Sequence, residues 1–296
     1  MTGVFRLESP YRGEYVLHRL SFGQGGGPSI AVTAAVHGNE VNGVYAVNLV
    51  AGVLRVQRPR GIVHLLPCVN TFAADEGKKR WPFDDRDLNE AFPGDESGSP
   101  VERVAAAVLA ATEADICIDV QTGSNVVHEA PHARTPISGP SLDLAAAAGL
   151  PVTWRRATDR FDEGLVGAWR AAGRTALVLR GGRAGQLDLD AARAMATAIL
   201  RVVAHAGVVA PPDSGAPTVV TTEVREYRSG AGGFFVPEVR PGDRIVGGAL
   251  LGLVRSPMGG DPLETLHASR SGVVLAVRTY PMVHARELVV RVAESG

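Results

Sequence analysis

The first sign of chemistry in this sequence is a histidine and a glutamate three residues apart. His37 and Glu40 follow the apolar run Ser29–Val36, which is typical of a buried β-strand. At a strand end, an imidazole and a carboxylate in this spacing can reach one ion, and Gly38 lets the backbone turn between them. The alternative is a polar turn that opens a helix, where the helix N-terminus favours a carboxylate. The pair alone therefore leaves both a metal site and a structural turn open.

Two more polar segments follow apolar runs. Asp87–Gly94 (DLNEAFPG) lies with Lys79–Asp84 (KRWPFD) in a long irregular stretch, and such stretches inside compact domains are usually functional. Ile118–Gly123 (IDVQTG) brings Asp119 and Gln121 to the end of another apolar run. These segments are the second and third candidates for a functional site.

The elements that must position these residues alternate between apolar β-type runs and helical patterns. The runs are apolar on both faces, as in central strands covered by helices on both sides. This alternation predicts an α/β sandwich with ligands at the carboxyl ends of its strands. The predicted strands are Ser29–Val36, Gly61–Val69, Asp115–Val120, Pro151–Trp154 and Thr175–Leu179, and the predicted helices are Val41–Val56, Val101–Glu113, Leu142–Ala148, Gly164–Ala172 and Leu189–His205.

The pattern changes after His205. Residues 210–215 form a turn-rich sequence that predicts a linker. The short β runs beyond it are broken by glycine and proline and predict a small β domain. We therefore expect domains over 1–209 and 216–296. The predicted C-terminal strands are Thr218–Val224, Arg244–Val246, Leu250–Val254, Gly272–Val277 and Glu287–Val292.

Composition indicates a soluble globular protein, with 45% hydrophobic and 21% charged residues. The net charge of −1 gives no electrostatic argument for binding nucleic acid or an anionic membrane. Cys68 and Cys117 lie in apolar runs, which favours buried thiols over a disulfide. Residues 1–10 lack the apolar core of a signal peptide, and no apolar run reaches membrane-spanning length. We therefore expect a cytoplasmic protein.

In order and spacing, the three segments resemble the succinylglutamate desuccinylase/aspartoacylase family, relatives of the zinc carboxypeptidases. That family shows a strand ending in HGxE, a stretch like NPxAF…RxxPxDxxDLNRxFPG, and a strand ending in DLHTG. Here Val69–Phe72 stands at the NPxAF point, and Asp87–Gly94 matches DLNRxFPG at all but one fixed position. Gly233–Asp243 and Ser271–Leu275 resemble the family's β-barrel-like tail. The resemblance implies a three-layer, zinc-carboxypeptidase-like α/β sandwich with a central mixed sheet, plus a small C-terminal all-β domain.

The resemblance also implies a zinc ion held by His37, Glu40 and the residue at position 121. The family has histidine at this third position, but this chain has Gln121. A glutamine oxygen can coordinate a metal, although it is a poorer zinc ligand than imidazole. We therefore expect zinc to be weakly held, replaced by another divalent metal, or absent. His128 and His132 are the alternatives for a displaced third ligand, against the simpler interpretation of solvated histidines.

The catalytic positions implied by the family depart further from its pattern. The glutamate that activates water, in a pattern like TVELGG, is replaced by Arg180, whose guanidinium cannot take a proton from water. The DLNR arginine, which grips the substrate carboxylate, is replaced by Glu90. The arginine of RxxPxD that stabilises the oxyanion falls on Lys79, with Arg80 as the alternative.

Glu90 and Arg180 thus reverse the charge at two positions that face one pocket in the family. We expect the two side chains to pair across that pocket, each offsetting the burial of the other. The alternative is two independent substitutions at exposed positions, where changes cost little. Two further residues are candidates for binding the substrate. Asn89 lies in the retained motif Asp87–Gly94, and Arg134 stands where relatives often show Pro-x-x-Arg.

Two functional hypotheses follow. The first is a diverged, metal-dependent deacylase-like enzyme that acts on the amide bond of a small amino-acid-like substrate, with an altered metal site and a changed mechanism. A repurposed relative whose reaction is not hydrolysis is the alternative form of this hypothesis. It would bind neither nucleic acid nor membrane, and a homo-oligomer is left open. The second is a catalytically inactive protein that binds a ligand or partner on the same scaffold.

Overall fold

The centre of the molecule is a parallel sheet built from the most apolar runs of the sequence. The computed structural model describes residues 1–10, 13–157, 161–210 and 218–295. Strand β3 (Ser29–Ala34) pairs in parallel with β4 (Gly61–Leu66) and β5 (Ile116–Gly123), and β5 pairs in parallel with β8 (Thr175–Arg183). Both faces of these strands are largely buried, as their sequences predict.

Antiparallel strands extend this centre on both sides. A ribbon of β1 (Thr2–Ser9) and β2 (Gly13–Gly25) joins at β4. On the other side, β6 (Val127–Pro136) pairs antiparallel with β8, and β7 (Val152–Arg156) pairs in parallel with β6. The sequence did not predict β1, β2 or β6, and these strands make the sheet mixed.

Helices cover both faces and confirm the three-layer sandwich. Helices α1 (Val41–Val56), α4 (Ser141–Ala148) and α6 (Leu189–His205) share one apolar core with the sheet. On the opposite face, α2 (Thr71–Asp75), α3 (Pro100–Ala111) and α5 (Gly164–Ala171) form the second core. None of the helices in the described part of the chain is long and apolar enough to cross a membrane.

Local sequence explains where two of these helices begin. At α3, Ser99 and Glu102 form a reciprocal capping box, and Pro100 occupies the first turn, where its missing N–H costs nothing. At α6, the Asp188 carboxylate accepts the backbone N–H groups of Asp190 and Ala191. The predicted bounds of α1 and α6 are confirmed, and the other predicted helices differ by one or two residues at one or both ends.

The C-terminal strands extend the same sheet and add a small one. Strands β15 (Gly272–Arg278), β17 (Leu288–Glu294) and β10 (Val224–Arg228) continue from β6, so the sheet runs in the order β1-β2-β4-β3-β5-β8-β6-β15-β17-β10. The sheet therefore crosses the predicted domain boundary without a break. Most of the predicted linker lies outside the described residues. The remaining strands are β9 (Val219–Thr221), β11 (Gly233–Pro237), β12 (Arg244–Ile245), β13 (Leu250–Arg255), β14 (Pro262–His267) and β16 (Met282–Val283), with β14-β13-β11-β16 forming the four-stranded sheet.

Candidate active site at the carboxyl edge of the sheet

The turn after β3 positions the first pair of site residues. Ala35 takes a positive φ of 51°, which turns the chain sharply at the strand end. Gly38 then packs so closely on α2 that an added Cβ would lie 2.3 Å from the backbone nitrogen of Ala74. The Glu40 N–H donates to the His37 carbonyl (3.0 Å), which closes the turn before α1. A glycine is therefore required here for packing.

His37 lies between two carboxylates. Its Nδ1 is 3.3 Å from Oε1 of Glu40, and its Nε2 is 2.9 Å from Oδ1 of Asp87. The other oxygen of Asp87 accepts a hydrogen bond from Lys79 Nζ (2.7 Å). Burial by itself would lower the pKa of His37, but the hydrogen bonds to Asp87 and Glu40 raise it to about 9. His37 is therefore an imidazolium that donates to both carboxylates.

Gln121, at the third ligand position, is held at both ends of its amide. Its Nε2 donates to Oδ2 of Asp119 (2.6 Å), and its Oε1 accepts from Nη1 of Arg180 (3.0 Å). Thr33 donates to the other oxygen of Asp119 (2.8 Å). Gln121 and Arg180 are direct neighbours in the parallel register of β5 and β8, which explains their contact. The Gln121 oxygen that would have to coordinate a metal thus already accepts a hydrogen bond from a cation.

Arg180 has a buried counter-ion that the sequence did not predict. Its Nε donates to Oε2 of Glu129 on β6 (2.6 Å), and Glu129 is 2% exposed. Arg134 Nη2 lies 3.4 Å from the same oxygen, and Arg291 Nη1 from β17 lies 3.6 Å from the other. Burial alone would raise the pKa of Glu129, but the arginines hold it at about 2. Glu129 is therefore an anion shared by three guanidinium groups.

The expected pair between Glu90 and Arg180 is wrong. Glu90 lies in a 3-10 turn, Leu88–Ala91, and is exposed, whereas Arg180 bonds to Glu129 and Gln121. The reason is local: β6 lies directly beside β8 and offers Arg180 a buried carboxylate at hydrogen-bond distance. Glu90 therefore does not neutralise the site.

Neither histidine proposed as a displaced ligand is near His37 with a free nitrogen. His132 is buried, with Nδ1 2.8 Å from the Ala130 carbonyl and Nε2 accepting from Arg134 Nε (3.0 Å). Burial lowers the pKa of His132 to about 3, so the ring is neutral. His128 bonds to Asp188 (2.8 Å) and lines other cavities. Both rings therefore serve structural contacts.

The remaining candidate site residues lie partly in the interior and partly on the surface loop. Arg134 is buried, with its guanidinium 4.9 Å from the ring centre of Trp154. Asn89 accepts from the N–H of Leu165 (3.2 Å) and helps anchor α5. Arg80 is exposed and donates to the carbonyl of Asp85 (3.0 Å), so it lies on the surface loop rather than at the cavity. Of Lys79 and Arg80, it is therefore Lys79 that brings a positive charge to the cavity.

Two cavities meet at His37 and Arg180. The larger has a volume of about 420 Å³, within the usual range for small-molecule sites. The smaller, of about 200 Å³, lies toward Arg134 and Asn89. The wall of the larger cavity includes His37, Asn39, Glu40, Lys79, Ser124, Asn125 and Arg180. Cations and one carboxylate thus border a space that a small polar molecule would fill.

These residues do not fit the three-ligand zinc centre that the resemblance implies. Within the described ranges, no group of three or more histidine, cysteine, aspartate or glutamate side chains is arranged to hold a metal ion. The Gln121 oxygen is occupied by Arg180, whose fixed positive charge would oppose a divalent cation. One feature does suit a cation: Oε2 of Glu40 is buried without a hydrogen-bond partner.

The mixed sheet, the helices on both its faces and the added C-terminal strands define the carboxypeptidase-like class of α/β sandwich. Residues 26–206 match the succinylglutamate desuccinylase/aspartoacylase catalytic domain, so the chain belongs to this family. It is similar in fold to a succinylglutamate desuccinylase/aspartoacylase from Rhodobacter sphaeroides, with a TM-score of 0.82 and 23% identity over 99% of this chain and 95% of that one. The product-bound ectoine utilization protein EutE (DoeB) from Ruegeria pomeroyi gives a TM-score of 0.82 and 21% identity, over 99% and 94% of the two chains.

One relative is similar in sequence over part of the chain. It is the N-alpha-acetyl-L-2,4-diaminobutyric acid deacetylase of Halomonas elongata, 32% identical over 117 residues. The match covers 38% of this chain and 34% of that protein, so it spans about a third of the relative's length.

Proposed function

We propose that this protein hydrolyses the amide bond of a small acylated, amino-acid-like molecule, using an altered form of the family's site. The observation that carries the proposal is the cavity where Glu40, with a carboxylate oxygen that no protein group bonds, meets the cations Arg180 and Lys79. Amide hydrolysis needs a proton acceptor and a stabiliser of the negative oxygen, and these side chains supply both roles. The cytoplasmic location and the homo-oligomer stay predictions.

The chemistry can be written with these side chains alone. A water oxygen attacks the carbonyl carbon while the Glu40 carboxylate takes one of its protons. The carbonyl oxygen becomes an oxyanion, and the Arg180 guanidinium and the Lys79 ammonium stabilise it. The C–N bond then breaks, and the nitrogen leaves as an amine after receiving the proton from Glu40. The products are a carboxylic acid and an amine, and the acid then gives its proton to the amine, which leaves a carboxylate and an ammonium group.

The neighbours of these groups hold them in place. Asp87 bonds both His37 and Lys79, so one carboxylate fixes two cations beside the cavity. Glu129 does the same for Arg180. Such preorganisation avoids rearranging charges during the reaction.

The experiment is a hydrolysis assay on a panel of N-acetyl and N-succinyl amino acids, followed by NMR of the released acyl acid. We expect release by the wild type and its loss in Glu40→Gln, which keeps the shape of the side chain but removes the base. Glu14→Gln, in an exposed ion pair with Arg6, is the matched control and should retain activity. Release that is unchanged in Glu40→Gln would contradict the role of Glu40.

A second function is favoured by one observation: an arginine stands where the family's catalytic glutamate is expected. Under this alternative the cavity binds the same class of molecule without cleaving it. Thermal-shift and calorimetric titration with the same panel separate the two. Binding without release of the acyl acid would support the alternative and contradict the hydrolase.

A further inference from the structure

This chain departs most clearly from its family's metal site at one guanidinium group, that of Arg180. The resemblance implies a metal ion held by His37, Glu40 and residue 121. Here Nη1 of Arg180 lies 3.0 Å from Oε1 of Gln121, the atom that would have to bind that ion. Zinc–oxygen bonds are about 2.0–2.2 Å long. Because that oxygen already accepts from Arg180, a metal would have to displace a permanent cation.

Arg180 is not free to move aside. Its Nε donates to Glu129 at 2.6 Å, and its strand register places it directly opposite Gln121. Glu129 is almost fully buried, so rotating Arg180 away would break a charged hydrogen bond in a desolvated place. The guanidinium is therefore a fixed part of the site.

The charges around Arg180 are those that a metal would otherwise balance. Burial lowers the pKa of Arg180, and the nearby carboxylates of Glu129, Glu40 and Asp119 raise it, Glu129 most strongly. Asp119 also receives the other end of the Gln121 amide, so the carboxylate, amide and guanidinium form one chain of hydrogen bonds. The Arg180 guanidinium thus already faces these acids with a positive charge.

We infer that the Arg180 guanidinium takes the place of the family's metal ion, so that this protein works without a resident divalent metal. A ligand oxygen would then meet guanidinium N–H donors where relatives of the family would offer a metal. This deepens the proposed function, on which it rests for the assignment of the cavity as the ligand site. Metal binding itself can be measured without any substrate.

The test uses the full chain, produced without a histidine tag and dialysed against chelator. Zinc content is measured by mass spectrometry after incubation with zinc chloride, and binding is followed by calorimetry. We expect the wild type to bind no stoichiometric zinc at this site and its melting temperature to be the same with and without chelator. One equivalent of zinc in the wild type, lost in His37→Ala, would overturn the inference.

A pair of double variants tests whether Arg180 is the reason. Arg180→Met with Gln121→His removes the cation and adds the missing imidazole, and should gain one equivalent of zinc. Arg180→Lys with Gln121→His keeps a positive charge and should gain none. If the methionine variant folds, as judged by circular dichroism, and still binds no zinc, Arg180 is not what excludes the metal. If it does not fold, the wild-type and lysine measurements still decide the inference. Loss of hydrolysis in any variant does not affect this readout.

Discussion

Replacing Glu129 by glutamine should reveal how much of the folded state depends on one buried carboxylate. The substitution keeps the size and shape of the side chain and removes its negative charge. Three guanidinium groups, from Arg180, Arg134 and Arg291, then remain around a neutral amide at 2.6 to 3.6 Å. The perturbation is therefore electrostatic and leaves the packing nearly unchanged.

Two independent arguments give the size of the effect. Removing one partner of a buried ion pair typically costs about 3–5 kcal/mol. The pKa of Glu129, held at about 2 against an ordinary 4.5, corresponds to about 3 kcal/mol in favour of the folded state. At roughly 2–4 °C per kcal/mol, a loss of about 3–5 kcal/mol should lower the melting temperature by about 6–20 °C.

The assay is urea denaturation followed by circular dichroism, with calorimetry for the melting temperature. Glu14→Gln is the control, because it removes a glutamate from an exposed ion pair, where the expected loss is below about 1 kcal/mol. If Glu129→Gln costs no more than Glu14→Gln, then Glu129 is not the buried counter-ion of these arginines, and the charge arrangement described for the site is refuted.

Three more predictions follow from local features. Because folding lowers the pKa of Glu129, the stability that this carboxylate contributes is present above about pH 4.5 and is lost as the pH falls toward 2. The difference in unfolding free energy between wild type and Glu129→Gln should therefore shrink over that interval. A constant difference would contradict this. Gly38→Ala should destabilise the protein by about 1–3 kcal/mol or more, because the new Cβ would meet the backbone of Ala74 at 2.3 Å, and an unchanged denaturation midpoint would show that the turn can yield. Burial raises the pKa of half-buried Cys68 and of buried Cys117 to about 12, so native protein should react slowly with Ellman's reagent at pH 8 and rapidly in denaturant. Fast native labelling would contradict these raised pKa values.

The parts of the fold set by local periodicity could be predicted from the sequence. The bounds of Val41–Val56 and Leu189–His205 follow from helical apolar patterns, and the central strands follow from their apolar runs. Both cysteines are free thiols, as expected. These features depend on residues a few positions apart, which a single sequence displays directly.

Strand Val127–Pro136 could not be predicted in this way. It contains charged residues and two prolines, yet most of it is buried, because Glu129 pairs with Arg134 on the same strand and with Arg180 on the neighbouring strand β8. Its role depends on partners 51 residues away on β8 and far along the chain on β17. Such pairing is set by the three-dimensional neighbourhood and leaves no local pattern.

Five of the candidate residues lie together, but their contacts could not be predicted from the sequence. His37, Glu40, Gln121, Lys79 and Arg180 do gather at the carboxyl edge of the sheet. The expected partner of Arg180 was wrong. The charges at Glu90 and Arg180 are both reversed relative to the family, but this does not specify where each side chain points. The direction of Glu90 depends on a short 3-10 turn, and only the folded chain determines it.

The most direct test of the central claim is a crystal structure of the protein grown with zinc, with anomalous diffraction collected at the zinc edge. We expect no zinc peak within about 2.0–2.2 Å of His37 and Glu40, and an Arg180 guanidinium that still bridges Glu129 and Gln121. A peak at that distance from both residues, with Arg180 turned away from Gln121, would contradict the claim that the guanidinium stands in for the metal.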